Sequence, residues 1–175
     1  MSTEKTRAPE GIQTAGDTDV KGVNMAYRDL REWLAEAEKL GEVKTVKGAS
    51  WEREIGMAAE LVLRDDKAPC LVFDEVPGYP KGFRVLTNFF GGKRMNMTLG
   101  FPTGLSKLEL TDAHFAYQVE GNPTIPYEIV DDGPVFENVL EGDAIDVTKF
   151  PTPIWHEHDG GRYFGTGSYD VTQDP

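Results

Sequence analysis

A single cysteine, Cys70, stands in the 175-residue sequence, so no intramolecular disulfide can form. Its setting in "PCLVF" is that of a small buried residue without a nearby base to make it a nucleophile. Long hydrophobic runs are missing too: no stretch approaches the ~18 apolar residues that cross a bilayer, and the N-terminus has no hydrophobic leader segment. Both shortages point to a reducing cytoplasm, where the sequon Asn96-Met97-Thr98 stays unglycosylated. Positive charge is also scarce. Eighteen Lys and Arg face 30 Asp and Glu, a formal net charge of −12 that repels nucleic-acid phosphates and anionic lipid heads. Nucleic acid and membrane are therefore not expected partners.

What is present is enough for a core: 39% of residues are hydrophobic, and a chain of this length buries about two-thirds of its unfolded surface. Residues 1–24 are polar and aperiodic, with Gly, Pro and Thr throughout, and read as a disordered tail. From Met25 on, Leu30, Trp33, Leu34, Ala37 and Leu40 recur at helical spacing, Asp29 and Glu32 lie near the start, and Gly41 supplies the stop. "EVKTV" is strand-like. Ser50 can cap a second helix with Ile55, Ala58, Ala59 and Val62 as its buried stripe, and "CLVF" follows as a buried strand. "VPGYPKG" is a turn, "FRVLTNFF" a further strand, and Ser106 to Val119 a helix. The expected class is α/β, with an N-terminal α/β domain over residues 25–142. From Asp143 the texture changes to proline-spaced aromatics and then to "RYFGTGSYDVT", an alternation suited to a strand, so a second unit is expected over 143–175.

Several motifs invite chemistry and fail it. "GGKR" at Gly91 to Arg94 lacks the glycine and the hydroxyl of a phosphate loop and reads as a solvated basic turn, with Lys93 and Arg94 able to meet an anion. "GTGSYD" lacks the third small residue of a dinucleotide fingerprint and no helical pattern follows it. His156 and His158 flank Glu157; in a strand both imidazoles would share a face with room for a metal, whereas in a Gly- and Pro-rich loop they read as a solvated pair. Acidic pairs such as Asp65-Asp66, Asp74-Glu75 and Asp131-Asp132 are expected by chance in so acidic a chain and mark turns. No residue of the chain is singled out as catalytic or as a metal ligand, and residues 151–175 are the only dense site candidate.

That stretch, in "DVTKFPTPIWHEHDGGRYFGTGSYDVTQDP", together with "YRDLREWLAEAEKLGEVKTV", "LVFDEVPGYP" and "NFFGGKRM", resembles the N-terminal part of the UbiD family of (de)carboxylases, which use prenylated FMN. The resemblance covers residues 25–175. It implies an N-terminal α/β domain leading into the start of a split β-barrel flavin-binding domain, incomplete here. It also implies Mn2+, with room for K+, as metals whose ligands lie beyond Pro175, as does the Glu-Arg-Glu set for proton transfer. Gly165, Thr166 and Gly167 match the strand leading to the first metal ligand and are the cofactor-binding residues it suggests, the glycines allowing close backbone packing near the flavin. A strand crossing at a barrel corner would ask for the same glycines. Trp155, His156 and Glu157 match a structural corner.

For the complete enzyme the resemblance implies reversible decarboxylation of an aromatic, heteroaromatic or α,β-unsaturated acid, a homo-oligomer, and inactivity of these 175 residues alone. The electrons left as CO2 departs need a sink that side chains do not offer, and the prenylated flavin would be it. A non-catalytic subunit, or a flavin-binding module that completes its site with a second chain, is the alternative. A chain ending at the "T-x-D-P" turn fits a piece of a longer enzyme.

Overall fold

The structure is a computed structural model and describes residues 25–65, 67–119, 129, 131–133 and 136–165. The described residues of Met1–Val43, Lys67–Pro69 and Phe89–Ile145 make one compact unit, and those of Lys44–Asp66, Cys70–Asn88 and Asp146–Pro175 make another.

The first unit is helical. Helix α1, Leu30–Lys39, is capped by the Asp29 carboxylate, which accepts from the N–H groups of Arg31 and Glu32, and it ends where Gly41 turns left-handed at φ +72°. The stop lies where the sequence placed it, but the segment that opens at Met25 becomes helical only at Leu30, and the buried face is narrower than expected: Trp33 and Ala37 are fully buried while Leu30 is half exposed. The Trp33 ring stacks on Phe89 with centroids 4.2 Å apart, and its indole N–H donates to Thr98 Oγ1 at 2.9 Å. Helix α4, Lys107–Val119, begins with a reciprocal box in which the Glu109 carboxylate accepts from the Ser106 N–H at 2.8 Å and Oγ at 2.7 Å. Leu110 and Ala113 carry it onto Phe101.

"GGKR" is no solvated turn. It opens helix α3, Gly92–Thr98, and Arg94 is wholly buried, bonded to the Glu42 carboxylate and donating to the Ala68 carbonyl at 2.9 Å. The anion Arg94 meets is thus a residue of this chain. Its partner lies 52 positions away, beyond the reach of any local pattern.

The second unit holds a three-stranded sheet in the order β1-β2-β3, built from β1 (Val43–Lys47, entering the unit at Lys44), β2 (Cys70–Asp74) and β3 (Val85–Thr87). Strand β2 is buried from Cys70 to Phe73, which suits its unbroken apolar run, and pairs antiparallel with β3 in the register Val72 opposite Leu86. Strand β3 is shorter than "FRVLTNFF" suggests, because Asn88 takes a left-handed φ of +56° and ends it. Helix α2, Glu54–Leu63, buries Ile55, Gly56 and Ala59, and Ile55 joins Leu71, Phe73 and Val76 in the core. Ser50 caps the turn before α2 and not the helix itself: its Oγ accepts from Glu52 N–H at 3.1 Å, and Glu54 reaches back to the Ser50 N–H at 2.7 Å.

The mixed α/β class stands. The tail 1–24 lies outside the described residues, as does most of "RYFGTGSYDVT". Its described part, Arg162 to Gly165, pairs with no strand among the described residues.

Candidate functional site

Residues 150–165 form a corner laid against α2 within the second unit. The first attachment is backbone: Ile154 N–H donates to the Trp51 carbonyl at 3.0 Å. The second is steric, because the corner reaches α2 where the helix has no side chain. A β-carbon built on Gly56 would stand 2.2 Å from the Trp155 carbonyl oxygen and 2.7 Å from that of Ile154, closer than any real pair of such atoms. Glycine is the residue this approach requires.

The corner then turns at His156, whose backbone N–H donates to Asp159 Oδ2 at 2.8 Å. The imidazole lies between two carboxylates, with Nε2 3.5 Å from Glu60 Oε2 and Nδ1 3.6 Å from Asp159 Oδ2. Hydrogen bonding to Arg64, and after it the charge of Arg64 and the bond with His156, hold the Glu60 carboxyl below the usual carboxylate range. Glu157 and His158 are exposed on the turn, so His156 and His158 do not share a strand face. Among the described residues no group of three His, Cys, Asp or Glu is placed to hold a metal ion.

Beyond the turn the chain is fastened twice more. Trp155 Nε1 donates to the Tyr163 carbonyl at 2.8 Å, and the Arg162 guanidinium donates to the carbonyls of Thr152 at 2.7 Å and Phe150 at 2.6 Å. The same guanidinium bonds to the Tyr79 hydroxyl and lies over the Trp51 ring, 4.4 Å from its centroid.

A cavity of about 280 Å³ opens beside this corner, lined by α2 at Gly56, Ala59 and Glu60, by Leu86 and Thr87 of β3, and by Trp155, Tyr163 and Gly165 of the corner. Its walls are mostly apolar. Thr87 is buried, yet its hydroxyl has no hydrogen-bond partner among the described residues. A larger groove, about 820 Å³, is lined by Trp51, Met57 and Leu61 and by the turn at His156.

Of the three cofactor residues expected from the sequence, Gly165 lines the cavity, is exposed, and has nothing within 4 Å of where a β-carbon would sit. Thr166 and Gly167 lie outside the described residues. Glu60, Thr87 and Arg162 were not legible as site residues, since Glu60 reads as one acid of an amphipathic helix and Thr87 as one residue of a strand. Arg162 carried one weak signal, an isolated base between a glycine pair and an aromatic pair in an acidic chain.

A mixed α/β fold of this kind is shared with known carboxy-lyases. The N-terminal domain model of 3-octaprenyl-4-hydroxybenzoate carboxy-lyase matches residues 34–113, and the Rift-related domain model of the same enzyme matches residues 128–175. The chain belongs to the UbiD family, whose N-terminal portion it matches. It is 30% identical over 162 residues to a pyrrole-2-carboxylic acid decarboxylase of Pseudomonas aeruginosa, across 87% of this chain and 32% of that protein. It is 31% identical over 142 residues to a phenolic acid decarboxylase of Bacillus subtilis, across 79% of this chain and 29% of that one. The vanillic acid decarboxylase of Sedimentibacter hydroxybenzoicus matches in its open form with TM-score 0.65 and in its closed form with 0.67, both at 26% identity and 78% of this chain. The chain spans about a third of the length of these relatives.

Proposed function

We propose that this chain is the N-terminal part of a reversible decarboxylase of an aromatic, heteroaromatic or α,β-unsaturated carboxylic acid that works with prenylated FMN. The observation that carries the proposal is the run of two adjacent UbiD domain matches, in order, over residues 34–113 and 128–175. It is supported by relatives that act on a pyrrole acid and on phenolic acids.

Breaking the bond between a carboxylate and a ring or vinyl carbon leaves an electron pair on that carbon, and prenylated FMN, when bound, supplies the sink that side chains lack. In this reading residues 143–175 begin the flavin-binding domain, a split barrel, and Gly165, Thr166 and Gly167 present backbone to the cofactor. The one of these that is described fits: Gly165 stands in open space at the edge of an apolar cavity, where a flat group can approach its backbone. Trp155 and Arg162 hold the chain that leads to it. The Mn2+ and K+ that accompany the cofactor take ligands from other parts of the complete protein, which acts in the cytoplasm as a homo-oligomer or with a second chain.

The test is a titration with prenylated FMN and Mn2+ followed by CO2 release from pyrrole-2-carboxylate, vanillate and an unsaturated acid. The 175 residues alone are expected to bind weakly and release nothing, since a flavin phosphate of about two negative charges meets a chain of net charge −12 without its metal. Joined to the remaining family portion, they are expected to gain the cofactor absorbance and CO2 release together. Stoichiometric binding and turnover by the 175 residues alone would falsify the partial-site reading.

A further inference from the structure

We propose that Arg162 is a positioning residue for the cofactor, a role that rests on the prenylated-FMN reading above and gives it a mechanism within this chain. Arg162 stands three residues before Gly165, and its side chain turns back on the chain that came before. Nε and Nη2 reach the Thr152 and Phe150 carbonyls at 2.7 and 2.6 Å, and Nη2 also bonds to the Tyr79 hydroxyl. The guanidinium plane lies over Trp51 at 4.4 Å and within 5.7 Å of the Tyr79 ring. One planar group therefore ties together the turn before α2, the turn after β2 and both arms of the corner.

The corner has attachments besides those of Arg162. Ile154 is already bonded to Trp51, and Pro151, Thr152 and Pro153 are buried. What Arg162 adds is a fixed distance between residues 150–152 and the outgoing chain, whose next carbonyl, that of Tyr163, is held by the Trp155 indole. Two consecutive residues, 162 and 163, are thus anchored by side chains just before Gly165, which is itself exposed and has nothing within 4 Å of where a β-carbon would sit. A backbone meant to meet a planar ligand has to be held by its neighbours, since glycine holds nothing by itself.

The fork geometry makes the role specific to arginine. Lysine keeps the charge and can sit over Trp51, but its ammonium is a compact point donor that cannot span two carbonyls and a hydroxyl from one plane.

The experiment compares the wild type with Arg162→Lys and Arg162→Gln, so that a variant that fails to fold does not decide the outcome. In the 175-residue chain, Arg162→Lys is expected to raise exchange of the Trp155 indole N–H, which is bonded to the Tyr163 carbonyl, about tenfold, the effect of losing a charge-assisted hydrogen bond beside it, while exchange in β2 stays unchanged. In the chain joined to the remaining family portion, the same variant is expected to bind prenylated FMN about tenfold more weakly, the matching free-energy loss. Either change without the other overturns the proposal, and so does a uniform rise in exchange across the sheet with unchanged affinity, which would make Arg162 a support of the unit only. If the joined wild type binds no prenylated FMN, the cofactor reading itself falls, and the role of Arg162 in it falls with it whatever the exchange shows.

Discussion

Gly56 in α2 and Trp155 in the corner approach so closely that the helix has no room there for a methyl group: a β-carbon on Gly56 would lie 2.2 Å from the Trp155 carbonyl oxygen. The obstacle is backbone on both sides, so neither partner can turn away. Through this approach α2 carries the corner, and the corner carries Gly165.

Gly56→Ala is therefore expected to destabilise the protein by about 1–3 kcal/mol, as overpacking does. The sign is diagnostic, because Gly to Ala inside a helix ordinarily stabilises by about 1 kcal/mol. Gly165→Ala, with open space around it, is the control and should change stability little. Urea unfolding of both variants checks the pair, and a stabilised Gly56→Ala would mean that the corner does not rest on the helix.

Trp33 is fully buried against Phe89 and bonded to Thr98. Trp33→Ala should cost about 3–5 kcal/mol, and Trp33→Phe, which keeps a ring but removes the indole N–H bond to a Thr98 hydroxyl that still donates to the Arg94 carbonyl, about 1–2 kcal/mol. Chemical denaturation separates the two; equal losses would assign the whole effect to the hydrogen bond.

The pairing of Arg94 with Glu42 makes an asymmetric prediction. Arg94 is fully buried whereas the Glu42 side chain keeps 19% of its exposure. Glu42→Ala leaves a buried guanidinium without its counter-charge and should cost about 3–5 kcal/mol. Arg94→Met leaves a carboxylate that can still reach water and should cost less. A larger loss for Arg94→Met would show that packing and the bond to the Ala68 carbonyl outweigh the charge.

Stability should fall on acidification. The Asp74 carboxyl is held below its ordinary range chiefly by the Glu75 N–H, that of Glu75 by Lys47, and that of Glu60 by Arg64. A carboxylate whose folded-state pKa is depressed contributes stability that is present above its unfolded value, about 4, and is lost as pH falls through the folded value. Melting temperatures recorded from pH 7 to pH 3 should decline below about pH 5, and Glu75→Gln should flatten part of that decline. A profile that rises toward acid would contradict the assignment.

What the sequence determined by itself was local. Asp29 and Gly41 bracket α1 because a cap and a left-handed stop act within one turn, and the apolar run from Cys70 to Phe73 is a buried strand because it is apolar on both faces. The family was legible as well, in four strings whose order and spacing the domain matches support. Only the tertiary structure decided which glycine mattered for packing, whether a base was solvated, and what held the corner. Gly56 reads as one small residue of a helix, yet a β-carbon there would meet the Trp155 backbone. "GGKR" looked like a turn because arginine is rarely buried unless paired, and its pair, Glu42, is 52 residues off. Arg162 gave no more than the weak signal of an isolated base, since its partners Trp51, Tyr79, Phe150 and Thr152 come from three separate segments. Caps, stops and apolar runs act between neighbours in the chain, whereas clamps and close approaches act between segments that only the fold brings together.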